Sequence, residues 1–173
     1  MTPEQASIIA EFLLPQIEQE VQTTAKVLAA VPEDKKDYTP ESKCDTKCMM
    51  AGELVNHIAE SDLWFLEGIL NGKFAEQPTP SKGSIAEVAA NYQARAAELL
   101  GKIKQLPADD LAKDVQFFTW NLPNATYLQF MQKHSVHHRG QLTAYLRPMG
   151  AKVPSIYGGS ADEPFTTAAA ESA

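Results

Sequence analysis

Apolar residues recur every three to four positions in four long stretches of the chain, and nowhere is the two-residue alternation of a half-buried strand sustained. The first stretch runs from about Pro3 to Val31, with Ala10, Leu13, Leu14, Ile17, Val21, Ala25 and Leu28 along one face. Thr2, Pro3 and Gln5 predict a capped start with proline at the first helical position. Pro15 removes a backbone donor inside this stretch and predicts a kink or a later true start. After a polar loop, a second helix is expected from about Asp45 to Leu70, with Met50, Leu54, Ile58, Phe65 and Ile69 on its apolar face and Asn71-Gly72 as its stop. Residues 77–83, with two prolines and a glycine, read as a long exposed connection.

The third helix has the clearest start. Ser84 and Glu87 have the spacing of a capping box, and Ile85, Val88, Tyr92, Leu99, Ile103 and Leu106 repeat at helical spacing up to Pro107. Residues 108–123 are mixed, and Val115 to Phe118 is the one strand-like fragment in them. A fourth helix is expected from about Asn124 to Met149, with Gly150 beyond its end, followed by an extended segment. Four amphipathic helices must bury their stripes against one another, which predicts an all-α, four-helix bundle. The long second and third connections leave room for an up-down-down-up order. Residues 1–165 form a single expected domain and 166–173 a frayed tail.

Composition narrows the function classes. The chain has 173 residues, with 15 Lys plus Arg against 22 Asp plus Glu, for a net charge of −7. An acidic balance argues against nucleic acid or an anionic membrane as partner, since both select basic surfaces. The opening segment lacks the basic start and continuous apolar run of a secretion signal. No apolar run approaches the roughly 18 residues of a membrane span. The two cysteines, Cys44 and Cys48, are too few for a disulfide framework and lack the C-x-x-C spacing of redox motifs, so they read as incidental thiols. A cytoplasmic protein is the expectation.

The four histidines carry the candidate chemistry. His57 lies mid-way along the second helix, within its apolar arc; His134, His137 and His138 cluster in the fourth. His134 and His138 are one turn apart, about 40° around the axis, on a face with Phe130, Met131, Gln141 and Tyr145 that is expected to turn inward. Imidazoles at i and i+4 can reach one metal ion, and a third from a facing helix would complete a three-nitrogen site. A hydrogen-bonded core histidine at 57 and a surface pair on the fourth helix satisfy the same spacings.

The segments AGELVNHIAESDLWF around His57 and HSVHHRGQLTAYLRPMGAKVPSIYGGSADE from His134 onward resemble the DinB-like (DinB/YfiT) metalloenzyme family. The resemblance follows the helix order over nearly the whole chain and is most specific in His-x-x-His-His-Arg-Gly-Gln and Val-Pro-Ser-Ile-Tyr-Gly. It implies an up-down-down-up four-helix bundle, a homodimer, and a divalent metal held by His57, His134 and His138. It further implies an enzyme that activates a thiol or water for transfer or hydrolysis of a small molecule, with a low-molecular-weight thiol as a second cofactor. Zinc and nickel suit nitrogen ligands best, followed by iron and manganese. The competing class is a non-catalytic metal-binding, stress-associated dimer.

His137, about 60° from His134 on the side away from His138, is a candidate for packing or for proton transfer. Gln141 is a candidate to hydrogen-bond a ligand or a metal-bound water. Gly140 is expected to permit close helix approach, and Arg139 to lie on the surface or at a dimer contact. Glu53 and Glu60 flank His57, where one carboxylate would orient an imidazole. Trp64, Trp120 and Tyr145 are candidates to line a pocket. Phosphate-loop and nucleophile-elbow motifs are absent, which leaves nucleotide hydrolysis and serine-type catalysis without support.

Overall fold

The computed structural model describes residues 1–40 and 48–164. The long helices are α1 (Pro3–Ala29), α2 (Ala51–Asn71), α3 (Ile85–Ile103) and α5 (Thr126–Leu146), with a short α4 (Ala108–Ala112) between α3 and α5. The caps are those the sequence predicts. Thr2 and Gln5 bond reciprocally at the start of α1, as do Ser84 and Glu87 at the start of α3. Gly72 closes α2 at φ +63°, a left-handed backbone that glycine adopts without strain.

Three expectations are corrected. α1 starts at Pro3 and continues through Pro15, so the later start is not found; Pro15 lies on the exposed face with Glu11, whose carbonyl loses its helical donor. α2 begins at Ala51, six residues later than expected: residues 48–50 are not helical, and 45–47 lie outside the described residues, as do Cys44 and the tail 166–173. Its first amides bond instead to the loop after α1, Ala51 N–H to the Tyr38 carbonyl at 2.9 Å and Gly52 N–H to that of Lys36 at 2.7 Å. Residues 108–123 hold α4 and an antiparallel hairpin, β1 (Asp114–Phe117) and β2 (Trp120–Pro123), paired from Asp114–Pro123 to Phe117–Trp120. The strand-like fragment Val115 to Phe118 coincides with β1, whereas β2 is too short and too exposed to register as a two-residue period.

α1 packs on α3 and α5, and α2 packs on the same two helices, so α1 and α2 face each other across the bundle diagonal. Directions follow from the contacts. Tyr92 bonds Asp62 and Arg95 bonds Glu67, so α2 and α3 run parallel. Lys104 pairs with Glu18, and the first amide of α3 bonds Glu33 just after α1, so α1 and α3 are antiparallel. Asn124, before α5, bonds the carbonyl of Ile69 near the end of α2, while Tyr145 bonds that of Met49 just ahead of α2. α5 is therefore antiparallel to α2. The order is up-down-down-up, in an all-α bundle carrying one small hairpin.

Candidate metal centre

α2 and α5 bring His57, His134 and His138 together at mid-bundle. One ring nitrogen from each lies within 4.8 Å of the other two. His57 Nε2 and His138 Nε2 are 3.1 Å apart. A tetrahedral ion with metal–nitrogen bonds of 2.0–2.1 Å needs nitrogens about 3.3 Å apart, so this donor set fits a divalent ion after small ring rotations. Among the described residues, this is the histidine, cysteine and carboxylate cluster with that geometry.

Protonation favours ligation. Burial, with the charges of the neighbouring histidines, pushes His134 down to about 4. His57 is lowered by burial and by His138; His138 is lowered by burial and His137, although its bond to Gln141 works the other way. All three are thus neutral near pH 7, the form that donates a lone pair. His138 Nδ1 lies 2.8 Å from Gln141 Oε1, which can only accept, so the proton sits on Nδ1 and the Nε2 lone pair points at the cluster. Gln141 Nε2 lies 3.3 Å from His137 Nε2 and donates to it. Exposed His137 also packs its ring on His138, with centroids 4.8 Å apart.

The histidines are not at the centre of the buried α5 stripe, as the sequence leads one to expect, but at its border. The stripe runs through Met131, Ser135, Arg139 and Leu142. Arg139, expected on the surface, is only 2% exposed and pairs with Glu20 of α1 at 2.6 Å. Gly140 is solvent-facing with open space where a side chain would go, so close helix approach is not its role. The border position leaves His57 on the wall of a cavity of about 550 Å³, which Cys48, Glu53, Glu60, Trp64 and Pro78 also line.

Of the flanking carboxylates, Glu53 receives the Met50 amide at the start of α2, and Glu60 is raised by burial and by Glu67. Gln141 is the orienting partner of His138. Trp64 joins the cavity wall, with its indole N–H on the Ala75 carbonyl. Trp120 sits on the hairpin against Phe117 and Phe130. Tyr145 packs on Tyr38.

Sequence reasoning passed over the buried polar groups behind the histidines. Asp62 is fully buried and accepts from Tyr92 Oη at 2.9 Å. Arg139 is held by Glu20, Thr24 and Tyr157. The available signal was a charge inside an apolar stripe, as with Asp62 among Ala59, Leu63, Phe65 and Leu66.

Comparison with known proteins agrees with this architecture. The model of the DinB family matches residues 9–168. YrdA, an uncharacterized protein of Bacillus subtilis, is 30% identical over 89 residues, 51% of this chain and 52% of YrdA; the match thus spans about half the length of that relative. YjoA, also uncharacterized and from Bacillus subtilis, is 27% identical over 121 residues, 66% of this chain and 76% of YjoA. The crystal structure of YjoA, described as a DinB-like protein, superposes with a TM-score of 0.67 at 23% identity, over 82% of this chain and 95% of its own. A DinB-like protein from Bacillus cereus superposes with a TM-score of 0.69 at 25% identity, over 85% of this chain and 97% of its own.

Proposed function

The chain belongs to the DinB family, and from that premise we propose that it is a divalent-metal-dependent enzyme acting on a small molecule, with His57, His134 and His138 as metal ligands. The observation that carries the proposal is a cluster of three half-buried imidazoles, one of which, His57, lines a cavity of about 550 Å³, so that the cluster is not sealed in the core. A structural site is closed by protein ligands, whereas a catalytic one keeps a position open toward solvent or substrate. A divalent ion held there supplies Lewis acidity and lowers the pKa of a bound water or thiol, the chemistry of hydrolysis or thiol transfer. Zinc or nickel suits the all-nitrogen set best, ahead of iron or manganese.

The chain's own residues prepare the site. Gln141 sets the His138 tautomer, and burial keeps His134 unprotonated well below neutrality. The wall formed by Trp64, Pro78 and Met49 gives a substrate apolar surface, while Glu60 and Ser61 offer polar contacts. His137, whose Nε2 accepts from Gln141, is exposed and so placed to exchange a proton directly between solvent and a substrate. A low-molecular-weight thiol as co-substrate, a homodimer and a cytoplasmic location belong to the same proposal.

The test is elemental analysis of untagged protein beside His57→Ala, His134→Ala, His137→Ala and His138→Ala. About one ion per chain is expected in the wild type and in His137→Ala, and none in the other three variants. Retention of the ion in His134→Ala overturns the ligand assignment. A wild type that refuses added metal leaves a non-enzymatic role for the bundle. With metal in place, thiol-transfer and hydrolase substrates are then screened for turnover that His134→Ala abolishes.

A further inference from the structure

Each α5 ligand is followed by a residue that is buried about 100° further round the helix. Ser135 follows His134 and Arg139 follows His138, and both meet α1 at Thr24. Ser135 Oγ lies 3.4 Å from Thr24 Oγ1, and Arg139 Nη1 donates to the same oxygen at 3.1 Å. Arg139 is further enclosed by Glu20 and by Tyr157 of the segment after α5. Nη1 pairs with Glu20 Oε2 at 2.6 Å, and Nη2 donates to Tyr157 Oη at 2.6 Å. Tyr157 Oη donates in turn to Glu20 Oε1 at 2.9 Å, which closes a triangle, and the Tyr157 ring lies 5.2 Å from the guanidinium.

The geometry points to Glu20 and Tyr157 as positioning residues for the metal centre, acting through Arg139 to fix the rotation of α5 about its own axis. This rests on the metal-centre reading above. The lever is long: a histidine ring nitrogen lies roughly 6–7 Å from the helix axis, so turning α5 by about 10° moves it by about 1 Å. Metal–ligand distances tolerate only about 0.2 Å. Core side chains alone allow small rotations, because apolar contacts are not directional. The hydrogen bonds of the Arg139 guanidinium to Thr24 Oγ1, Tyr157 Oη and the Glu20 carbonyl are directional, the Glu20 carboxylate adds a close ion pair and anchors Tyr157, and breaking this set strands a buried charge. Tyr157 comes from outside the four helices. Its segment is held in shape by its own bonds, Asp162 to Arg147 and to the Val153 amide, and Glu163 to the Ser155 amide. The precision of the centre is thereby linked to a strap that contributes no ligand.

The decisive variant is Tyr157→Phe, which removes one hydroxyl and keeps the ring; Glu20→Gln is the second. Ser84→Ala, a helix-cap change in α3, serves as a control for general destabilisation. Cobalt(II) is the probe, with affinity measured by chelator competition, geometry by the visible d–d band, and histidine ring resonances by NMR of metal-free protein. Tyr157→Phe and Glu20→Gln are expected to weaken cobalt binding about tenfold, the scale of outer-shell changes, and to shift both the band and the His134 and His138 resonances. Ser84→Ala leaves all three as in the wild type. Wild-type affinity, band and resonances in both variants overturn the proposal, as does an equal change in Ser84→Ala. A wild type that takes no cobalt overturns the metal centre itself, and the ring resonances of metal-free Tyr157→Phe then decide the positioning role alone.

Discussion

Asp62 and the histidine cluster give the stability of this bundle two opposing pH slopes. Burial raises Asp62 to about 7, against the lowering effects of Ser135, Tyr92 and Arg139. Between its ordinary value of 3.8 and about 7, the folded state therefore holds a proton that the unfolded chain releases, and stability falls as pH rises. His134 has the opposite sign. With its pKa lowered to about 4, the unfolded chain takes up a proton below 6.5 that the folded state refuses, and stability falls as pH drops toward 4. Asp62→Asn removes the first slope and keeps an acceptor for Tyr92. Its melting temperature relative to wild type is expected to be higher at pH 8 than at pH 5, and an identical difference at both pH values refutes the protonated carboxyl. Gln141→Leu leaves the His138 Nδ1–H without its acceptor and frees the tautomer. Metal affinity is expected to drop about tenfold, read by chelator competition. That Gln141 would touch a ligand was legible from its place three residues after His138. That Asp62 and Arg139 are buried was not, because spacing alone does not say which charges find partners on another helix.

At the scale of elements, the ends of the helices were the most legible feature. Capping signals are local, and Thr2, Ser84 and Gly72 each stand where the backbone needs them. The start of α2 was misread because its first amides are satisfied by carbonyls of a loop more than ten residues upstream, a non-local arrangement. The strand-like fragment Val115 to Phe118 falls on β1, but β2 and the pairing of the hairpin escaped for a similar reason. Its place is set by Phe117 and Trp120 packing on Phe130, and by Tyr127 Oη on the Val115 carbonyl at 2.7 Å. Gly68 shows how tightly this aromatic end is packed. A β-carbon there would meet the Phe74 ring at 2.4 Å, and Phe74 is packed against Trp64, Phe65, Phe117 and Tyr127. Gly68→Ala is expected to cost about 1–3 kcal/mol in urea unfolding by overpacking, with no change in metal stoichiometry.

At the scale of the whole molecule, metal binding and folding are linked. The three ligands come from two helices, α2 and α5, so an ion bound to the folded state alone stabilises it, by about 2.7 kcal/mol at a hundredfold excess over Kd. Added zinc or nickel should therefore raise the wild-type melting temperature and leave that of His134→Ala unchanged. Equal responses would place the binding elsewhere on the surface. The number of long helices, the apolar faces of α1, α2 and α3 and the all-α class were determined by sequence, because periodicity and capping act within a few residues. The same holds for the histidine spacing on α5 and, through resemblance, for the family. Resemblance also named His57, His134 and His138 as one site; tertiary structure alone decided that the trio lies at the border of the buried stripe with His57 on a cavity wall, and that Arg139 turns inward to Glu20 and Tyr157. Those outcomes depend on how α5 is rotated between α1 and α2. That angle is set by contacts between residues more than a hundred positions apart, such as Glu20 and Arg139, which no local pattern encodes.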